Sequence, residues 1–290
     1  MAMLLLAHAA FPGLVEAATV DHQLRTESGT EARMVAAVCA ARAIPHEILP
    51  VDVLKGNLQS EARQARYAAL HRWLERRGLS ALLTAHQQDD QAETVLMRLN
   101  RGSGVRGLAG VRARSTVPGG NYPLLRPLLR WRRAELAAVV AACGITPIDD
   151  PSNHDSAFDR VRLRRALADA LWLDVPGIAT SAAWLAQADE ALTWAVEREW
   201  GAQVRLDGTG GYCYAAVRGG EAAPDLIRAG VLERAARALG GSLDAREAAR
   251  MAARLAQGEP CNFGGMAGTP SGGSGDQRWT LNPENPRRSG

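Results

Sequence analysis

A histidine and three carboxylates lie within eight residues of one another in the segment Thr84–Thr94, T-A-H-Q-Q-D-D-Q-A-E-T. Asp89 precedes Glu93 by four residues, so this pair would share one face of a helix, and His86 lies four residues before Asp90. Carboxylates this close repel one another unless a cation lies among them. Magnesium, bound through one or two carboxylates and substrate phosphates, is the natural cation, and Asp89 and Asp90 are its predicted ligands. Asp89 could instead cap the helix that begins there.

Arginines are concentrated on the C-terminal side of this segment. Of the 34 basic side chains only Lys55 is lysine, a bias that a GC-rich genome would also produce. Nine arginines and no acid lie between Arg98 and Arg133, and residues 1–165 hold 22 basic and 16 acidic side chains. Such a run raises the local positive potential and suits the phosphates of a nucleotide or a nucleic acid. A solvated loop without a partner is the alternative.

Alternating strands and helices must position these residues. The short apolar run Ser80–Ala85 predicts a strand that is buried on both faces, and a helix follows it. Two earlier strands are predicted at Glu16–Val20 and Ile44–Val53, each followed by a helical pattern. The alternation predicts an α/β fold with a doubly wound parallel sheet. Because ligands of such sheets bind beyond the carboxyl ends of the strands, Asp21 and His86 are placed at the candidate site.

The second half of the sequence has a different pattern. Helical spacing dominates from about residue 166, and Trp184 and Trp194 are predicted to be core anchors in preference to base-stacking platforms. The last thirty or so residues are rich in Gly, Pro and Ser, which predicts a flexible tail. The predicted parts are an α/β domain over 1–165, a second, mainly helical domain over 166–258 and a flexible tail over 259–290.

Composition excludes several classes of protein. With 47% hydrophobic residues and a formal charge of +3, the chain does not have the composition of a disordered protein. No apolar run reaches the roughly 18 residues that a membrane span needs. The four cysteines are far apart in sequence, which argues against a disulfide framework or a structural zinc site and favours a reducing, cytoplasmic location.

The Thr84–Thr94 segment, followed by Arg101-Gly102-Ser103-Gly104, resembles the N-type ATP pyrophosphatase (PP-loop) family, and within it the tRNA(Ile)-lysidine synthetases. Four further segments agree with that family in order and spacing. They are Val20–Arg25 (V-D-H-Q-L-R), Gly56–Tyr67, Leu125–Leu128 (L-R-P-L) and Asp150–Arg164, which opens with D-P-S-N. Gln23 stands where the family has glycine. Five segments in register make the resemblance specific.

The resemblance implies an ATP-dependent ligase that acts on RNA. The C2 carbonyl oxygen of the wobble cytidine of an isoleucine tRNA would attack the α-phosphate of ATP, releasing pyrophosphate. The ε-amine of free lysine would then displace AMP to give lysidine. The implied cofactors are ATP and Mg²⁺, and the implied partners are the anticodon region of the tRNA and free lysine. The helical domain would bind the tRNA, and a homodimer is compatible with the sequence, which does not specify the oligomeric state.

The resemblance also implies roles for individual residues, in three groups. The catalytic residues would be His86, Asp90 and Glu93. The nucleotide would be bordered by Asp21, Arg25, Arg101 and Ser103. The RNA, lysine or the activated intermediate would be bound by Arg63, Tyr67, Arg126, Asp150, Asn153, Arg160 and Arg162. Three alternatives stay open: Arg63 on a solvated helix face, Tyr67 in the core, and Asp150 in a simple turn.

The family's phosphate loop, S-G-G-x-D-S, is expected just before Met1, because Met1–Ala10 resembles the buried helix that follows it. The string Ser271–Asp276 looks similar but lacks an apolar strand before it and a helix behind it, so it is interpreted as a coincidence of a glycine-rich tail. Two other functions remain open. One is a tRNA thiolase of the same superfamily, against which the isolated cysteines argue. The other is a non-catalytic RNA-binding module.

Overall fold

The fold is described from a computed structural model. It describes residues 1–22, 28–51, 58–146, 159–273 and 275–284. The chain divides into two units, Met1–Trp184 and Leu185–Gly290, so the division falls inside a long helix and not at residue 165. Among the residues described, none of the helices is long and apolar enough to cross a membrane.

The first unit alternates helices with short strands. Its helices are α1 (Ala2–Ala10), α2 (Ser28–Ala40), α3 (Leu58–Arg77), α4 (Gln88–Asn100), α5 (Val105–Leu108), α6 (Arg133–Ala142) and α7 (Asp159–Asp169), and α8 (Val175–Gln203) continues into the second unit. Its strands are β1 (Ala17–Asp21), β2 (His46–Pro50), β3 (Leu82–Leu83), β4 (Arg114–Thr116) and β5 (Pro123–Leu125).

Parallel pairing joins the strands that the sequence predicted. β1 pairs with β2 over the whole of both strands. β3 pairs in parallel with β5, and β4 joins the other edge of β5 in the antiparallel direction. The predicted α/β class is therefore confirmed. β4 and β5 were not predicted, because three-residue strands in a segment rich in Arg and Gly carry little hydrophobic pattern.

The core of the first unit lies against α3. Leu74 is completely buried, and Trp73, Leu82 and Leu124 join it in one apolar cluster with residues of β2. Burying each such large side chain stabilises the fold by about 1.5–3 kcal/mol. A separate small cluster packs α1 against α6 through Leu5 and Leu136, as expected for a buried helix at Met1–Ala10. The first cluster holds β3 in place through Leu82, shortly before the candidate site.

The second unit contains strands as well as helices. They are β6 (Val204–Leu206), β7 (Tyr212–Ala215), β8 (Val217–Arg218), β9 (Glu221–Ala222), α9 (Asp225–Ala238), α10 (Ala245–Ala256), β10 (Cys261–Phe263), β11 (Met266–Gly273) and β12 (Asp276–Pro283). Five of these strands form an antiparallel sheet in the order β10-β11-β12-β7-β6. Helices predominate within the predicted range 166–258, and the antiparallel sheet, which was not predicted, is completed by the strands that follow residue 259.

The prediction of a flexible tail over 259–290 is wrong, since β11 and β12 pair along their full lengths. Trp279 and Leu281 alternate with polar residues of β12 and are completely buried against α10, which fixes the segment in the core. The Ser271–Asp276 string spans the end of β11 and the start of β12 and has no helix behind it.

Two tryptophans of α8 lie on the surface. Trp184 and Trp194 are 66% and 61% exposed, so their prediction as core anchors is wrong. Val196, which packs against the core, lies about 200° around the helix from Trp194. Helical spacing identified an apolar stripe but not the face of α8 that is buried.

Candidate active site

The candidate site is built at the junction between β3 and α4. Gln87 is the N-cap of α4: its side-chain Oε1 accepts from the backbone N–H of Asp89 at 2.6 Å, and its own N–H donates to Asp90 Oδ2 at 3.1 Å. This reciprocal capping satisfies N–H groups that the helix itself leaves without partners. It also presents His86, Asp90 and Glu93 at a fixed start of the helix.

Asp89 connects α4 to α6. Its Oδ2 accepts from the backbone N–H of Arg133 at 2.8 Å and from Arg132 Nε at 3.3 Å, and Oδ1 accepts from Arg132 Nη2 at 3.2 Å. Burial favours a higher pKa for Asp89, but the hydrogen bonds and charges of Arg132 and Arg133 outweigh it and hold the pKa below its usual value. Asp89 therefore caps α6, not the helix that contains it.

Glu93 is buried among arginines. Its side chain is 1% exposed, and Oε1 accepts from Arg164 Nε at 2.9 Å and from Arg133 Nη2 at 3.2 Å. Arg160 Nε lies 3.2 Å from Oε2. A buried carboxylate is stable only when it is paired, and here guanidinium groups from α6 and α7 pair with it. Glu93 thus joins three helices.

The cations among the acids are guanidinium groups, where the sequence predicted a metal ion. In the part of the chain that the structure describes, no group of three His, Cys, Asp or Glu side chains is arranged to hold a metal. Both oxygens of Asp89 are bonded to arginine, so the donor set does not fit it as a ligand. Asp90 Oδ1 lies 3.9 Å from Arg133 Nη2 and fits the single protein carboxylate of a magnesium ion bound mainly through phosphates.

His86 lies at the strand end with its Nδ1 3.1 Å from Thr84 Oγ1. Burial lowers its pKa most, and the positive charge of Arg126 lowers it further, against a smaller raising effect of Asp90. The imidazole is therefore neutral at pH 7, and a neutral imidazole can accept a proton.

A cleft of about 1290 Å³ opens beside His86. Eight arginines and one aspartate are among its lining residues. The lining is formed by Arg63, Arg66, His86, Thr94, Met97, Arg98, Arg101, Gly110, Val111, Arg112, Ser115, Arg126, Asp159, Arg160, Val161 and Arg164. The strongly positive potential of such a concave surface attracts phosphate groups.

Tyr67 supports two of these arginines, Arg63 through its ring and Arg126 through a side-chain hydrogen bond. Its ring is 4% exposed and belongs to the core of the first unit, so the alternative of core packing applies and direct stacking with RNA does not fit. Arg63 lies over the ring, 5.1 Å from its centroid. Arg126, itself 7% exposed, donates to the backbone oxygen of Arg112 at 2.8 Å and to Ser115 Oγ at 3.0 Å.

The loop after α4 is held by two side chains of that helix. Gln91 accepts from the backbone N–H of Val111 at 2.7 Å and donates to its carbonyl at 3.1 Å. Arg98 Nη1 donates to the carbonyls of Gly107 and Gly110 at 2.7 and 3.0 Å. The loop carries Ser103, whose N–H donates to the carbonyl of Arg98 at 3.0 Å.

The other predicted site residues are only partly gathered at the cleft. Asp21 is the last residue of β1 and is half-buried. Arg101 and Arg162 both pair with Asp159 and are exposed, and Arg101 lines the cleft. Arg160 lines the cleft and donates to Thr94 Oγ1 at 3.3 Å. The predicted residues outside the described part of the chain are Arg25, Asp150 and Asn153.

Sequence reasoning missed the partners of the acids. Arg132 and Arg133 were counted in the unopposed arginine run, but they pair with Asp89 and Glu93. Arg164 stood in a recognised segment without a role. The signal was present, because three crowded acids require cations and the arginine run between Arg98 and Arg133 contains them.

Comparison with known proteins identifies the family. A family model described as a PP-loop domain matches residues 1–171. The tRNA(Ile)-lysidine synthase of Novosphingobium aromaticivorans is 54% identical over 202 residues, which cover 69% of this chain and 62% of that protein. The protein of the same name from Methylobacterium nodulans is 38% identical over 293 residues, covering 95% of this chain and 84% of that protein. The chain belongs to the tRNA(Ile)-lysidine synthase family of PP-loop proteins.

The match to this lysidine synthase family differs in extent between relatives. The chain spans less than two thirds of the length of the Novosphingobium protein and of the Zymomonas mobilis one, which is 42% identical and covered over 64% of its length. A solved structure of the U34-tRNA thiolase NcsA from Methanococcus maripaludis superposes with a TM-score of 0.51 at 17% identity, covering 63% of this chain and 65% of that one. That likeness concerns the fold. PP-loop domains use ATP.

Proposed function

We propose that the protein joins lysine to the wobble cytidine of an isoleucine tRNA in an ATP-dependent reaction. The observation that carries the proposal is the position of His86, which lines an arginine-rich cleft directly before the α4 carboxylates. The names of its relatives supply the substrate class.

The cleft suits two phosphate-bearing substrates. Its volume of about 1290 Å³ exceeds the roughly 300–1,000 Å³ of sites for one small ligand, which leaves room for ATP and a nucleotide of the RNA. By the pattern of the family we assign the nucleotide to Asp21, Arg25, Arg101 and Ser103. We assign the RNA and lysine to Arg63, Arg126, Asp150, Asn153, Arg160 and Arg162. Tyr67 supports Arg63 and Arg126 from the core.

The reaction has two steps. The C2 carbonyl oxygen of the cytidine attacks the α-phosphorus of ATP, and the bond to pyrophosphate breaks. The lysine ε-amine then bonds to C2, and the C2–oxygen bond to AMP breaks. Arginines fixed before the reaction stabilise the charge that develops on the phosphate oxygens. The amine must lose a proton, and His86 is the acceptor that we assign. Mg²⁺ bound to the phosphates and to Asp90 would add charge stabilisation.

Glu93 has a different role in this proposal from His86 and Asp90. Its carboxylate contacts arginines of α6 and α7 and is 1% exposed. We therefore assign Glu93 as a positioning residue that holds Arg160 and Arg164 at the cleft wall.

Two other functions are weaker. A thiolase that uses paired cysteines or an iron–sulfur cluster needs cysteines that meet, but Cys39, Cys143, Cys213 and Cys261 are all free thiols on separate elements. A non-catalytic RNA-binding module would not need a histidine directly before the carboxylates of α4, the position that His86 has here.

The test incubates the purified protein with ATP, labelled lysine and isoleucine tRNA, and we expect transfer of lysine to the tRNA. Asp90→Asn should abolish turnover yet spare tRNA affinity, because the amide oxygen still accepts from the Gln87 N–H. Asp169→Asn, on an exposed position of α7, is the matched control and should keep full activity. Binding of tRNA without transfer of lysine would overturn the proposal.

A further inference from the structure

Asp89 joins the start of α6 to the start of α4. The first N–H groups of a helix need acceptors from outside that helix's own backbone. At α6, the Arg132 N–H donates to Glu135 of the same helix at 2.7 Å, whereas the Arg133 N–H donates to Asp89 of α4 at 2.8 Å. Asp89 also holds the Arg132 side chain through Nε and Nη2.

The same residue whose N–H is capped supplies a guanidinium to the site. Arg133 Nη2 donates to Glu93 Oε1 at 3.2 Å and lies 3.9 Å from Asp90 Oδ1. Asp89, Asp90 and Glu93 all belong to the first two turns of α4. The backbone of Arg133 is thus fixed by one acid of α4, and its side chain reaches the other two.

We propose that Asp89 is a positioning residue for the reaction: by capping α6 it holds the Arg133 guanidinium between Glu93 and Asp90. The inference rests on the proposed function. It gives the two adjacent aspartates different roles. Asp90 acts at the reacting groups, whereas Asp89 fixes the position of Arg133 beside it. A guanidinium displaced from this place would leave the buried Glu93 with less compensation and Asp90 with a different local charge.

Two simpler roles do not account for these contacts. Asp89 does not cap its own helix, because Gln87 and Asp90 already form that cap. A metal-ligand role conflicts with the hydrogen bonds that occupy both of its oxygens.

The experiment is a double-mutant cycle between Asp89→Ala and Arg133→Ala. We expect each single variant to lose about 10²-fold in kcat/KM for lysine transfer, the effect of a misplacement of about 1 Å. The double variant should lose no more than about threefold beyond the larger single loss, because both changes remove the same interaction. Asp89→Asn keeps an acceptor for the Arg133 N–H and should recover much of the loss. Additive losses would overturn the proposal.

A second measurement separates this inference from the proposed function. Hydrogen exchange at the first-turn amides of α6 should speed up in Asp89→Ala, whether or not the protein transfers lysine. Glu135→Ala is the matched control, because it removes the acceptor of the Arg132 N–H at the same helix start without touching α4. It should speed exchange but keep lysine transfer within about twofold of the wild type, whereas a merely structural role predicts equal losses for both variants. A raised Mg²⁺ requirement in Asp89→Ala would mark a metal ligand and overturn the proposal.

If the unaltered protein transfers no lysine, the proposed function fails. The exchange data would still decide whether Asp89 holds α6: unchanged exchange in Asp89→Ala would overturn the inference by itself.

Discussion

Glu93 is a carboxylate whose environment makes its charge indispensable. Three guanidinium groups surround it, each 32–47% exposed, while the carboxylate is 1% exposed. Removing one partner of a buried ion pair is far more costly than never having had the pair, because the remaining charges lose their compensation. The negative charge of Glu93 therefore allows the arginines of α6 and α7 to lie close to α4.

Glu93→Gln should therefore destabilise the first unit by about 2 kcal/mol, somewhat less than a fully buried pair would lose because the arginines are partly exposed. The measurement is urea unfolding followed by circular dichroism. Glu47→Gln, which breaks an exposed pair with Arg76, is the control and should cost no more than about 1 kcal/mol. Similar losses of unfolding free energy in the two variants would show that the buried ion pairs of Glu93 stabilise the fold no more than an exposed pair does.

His86 makes stability depend on pH. Burial and the charge of Arg126 lower its pKa in the folded protein, while the unfolded chain takes up the proton near pH 6.5. Below that pH the unfolded state binds more protons, so stability falls as the pH falls and is fully present above pH 6.5. His22 and His46 also have lowered pKa values, caused first by burial.

We expect the free energy of unfolding to fall between pH 7.5 and pH 5, and to fall less steeply in His86→Asn. Urea denaturation at a series of pH values measures both slopes. Identical slopes for the two proteins would mean that His86 is not held neutral by its surroundings.

At the scale of elements, α4 organises its neighbours through side-chain contacts with backbone. Gln91 and Arg98 bind the loop between residues 101 and 111, and the loop approaches Gln91 closely at Gly110. Gly110 has φ +65°, and a Cβ there would lie 2.6 Å from Gln91 Oε1. Only glycine fits both the backbone angle and the contact.

Gly110→Ala should cost more stability than Gly119→Ala. Gly119 also has a positive φ, +79°, but open space where its Cβ would lie, so its substitution costs only backbone strain of about 1–2 kcal/mol. Gly110→Ala should add about 1–3 kcal/mol of overpacking. Thermal unfolding of both variants gives the comparison, and equal losses would contradict a specific role for the Gln91 contact.

At the scale of the whole molecule, the C-terminal segment completes the second unit. Trp279 of β12 is completely buried, and its ring meets Tyr214 of β7 edge to face, with centroids 5.4 Å apart. The hydroxyl of Tyr214 donates to Glu199 of α8 at 2.8 Å. The last strand therefore anchors a core that includes residues from the start of the unit.

Trp279→Ala should destabilise the second unit by about 3–5 kcal/mol, the usual loss for a buried tryptophan. Trp194→Ala is the control, since this tryptophan of the same unit is 61% exposed, and it should change stability by about 0.5 kcal/mol or less. Calorimetry of both variants checks the prediction. A small effect of Trp279→Ala on stability would contradict the packing of β12 in the core of the second unit.

Local pattern predicted the elements that place the site, but not the partners that complete it. The apolar run before His86 and the periodicity after Asp89 predicted a strand and a helix, which the structure has as Leu82–Leu83 and Gln88–Asn100. The pairing of Asp89 with Arg132 depends on two helices that meet across 43 positions of sequence, and no local period encodes that meeting. Trp279 was missed for a related reason, because glycine and proline nearby concealed the alternation of β12.

The cationic lining of the cleft has a chemical consequence beyond its charge. The lining that the structure describes contains arginines and no lysine, and the single lysine of the sequence, Lys55, lies outside the described residues. Guanidinium groups stay protonated in proteins, whereas a desolvated lysine readily becomes a nucleophilic amine. In the proposed reaction the activated cytidine is an electrophile that reacts with the ε-amine of lysine. The guanidinium groups of this lining bind phosphate, but they do not react with the activated cytidine. The lysine substrate therefore meets no competing amine from the described lining of the cleft.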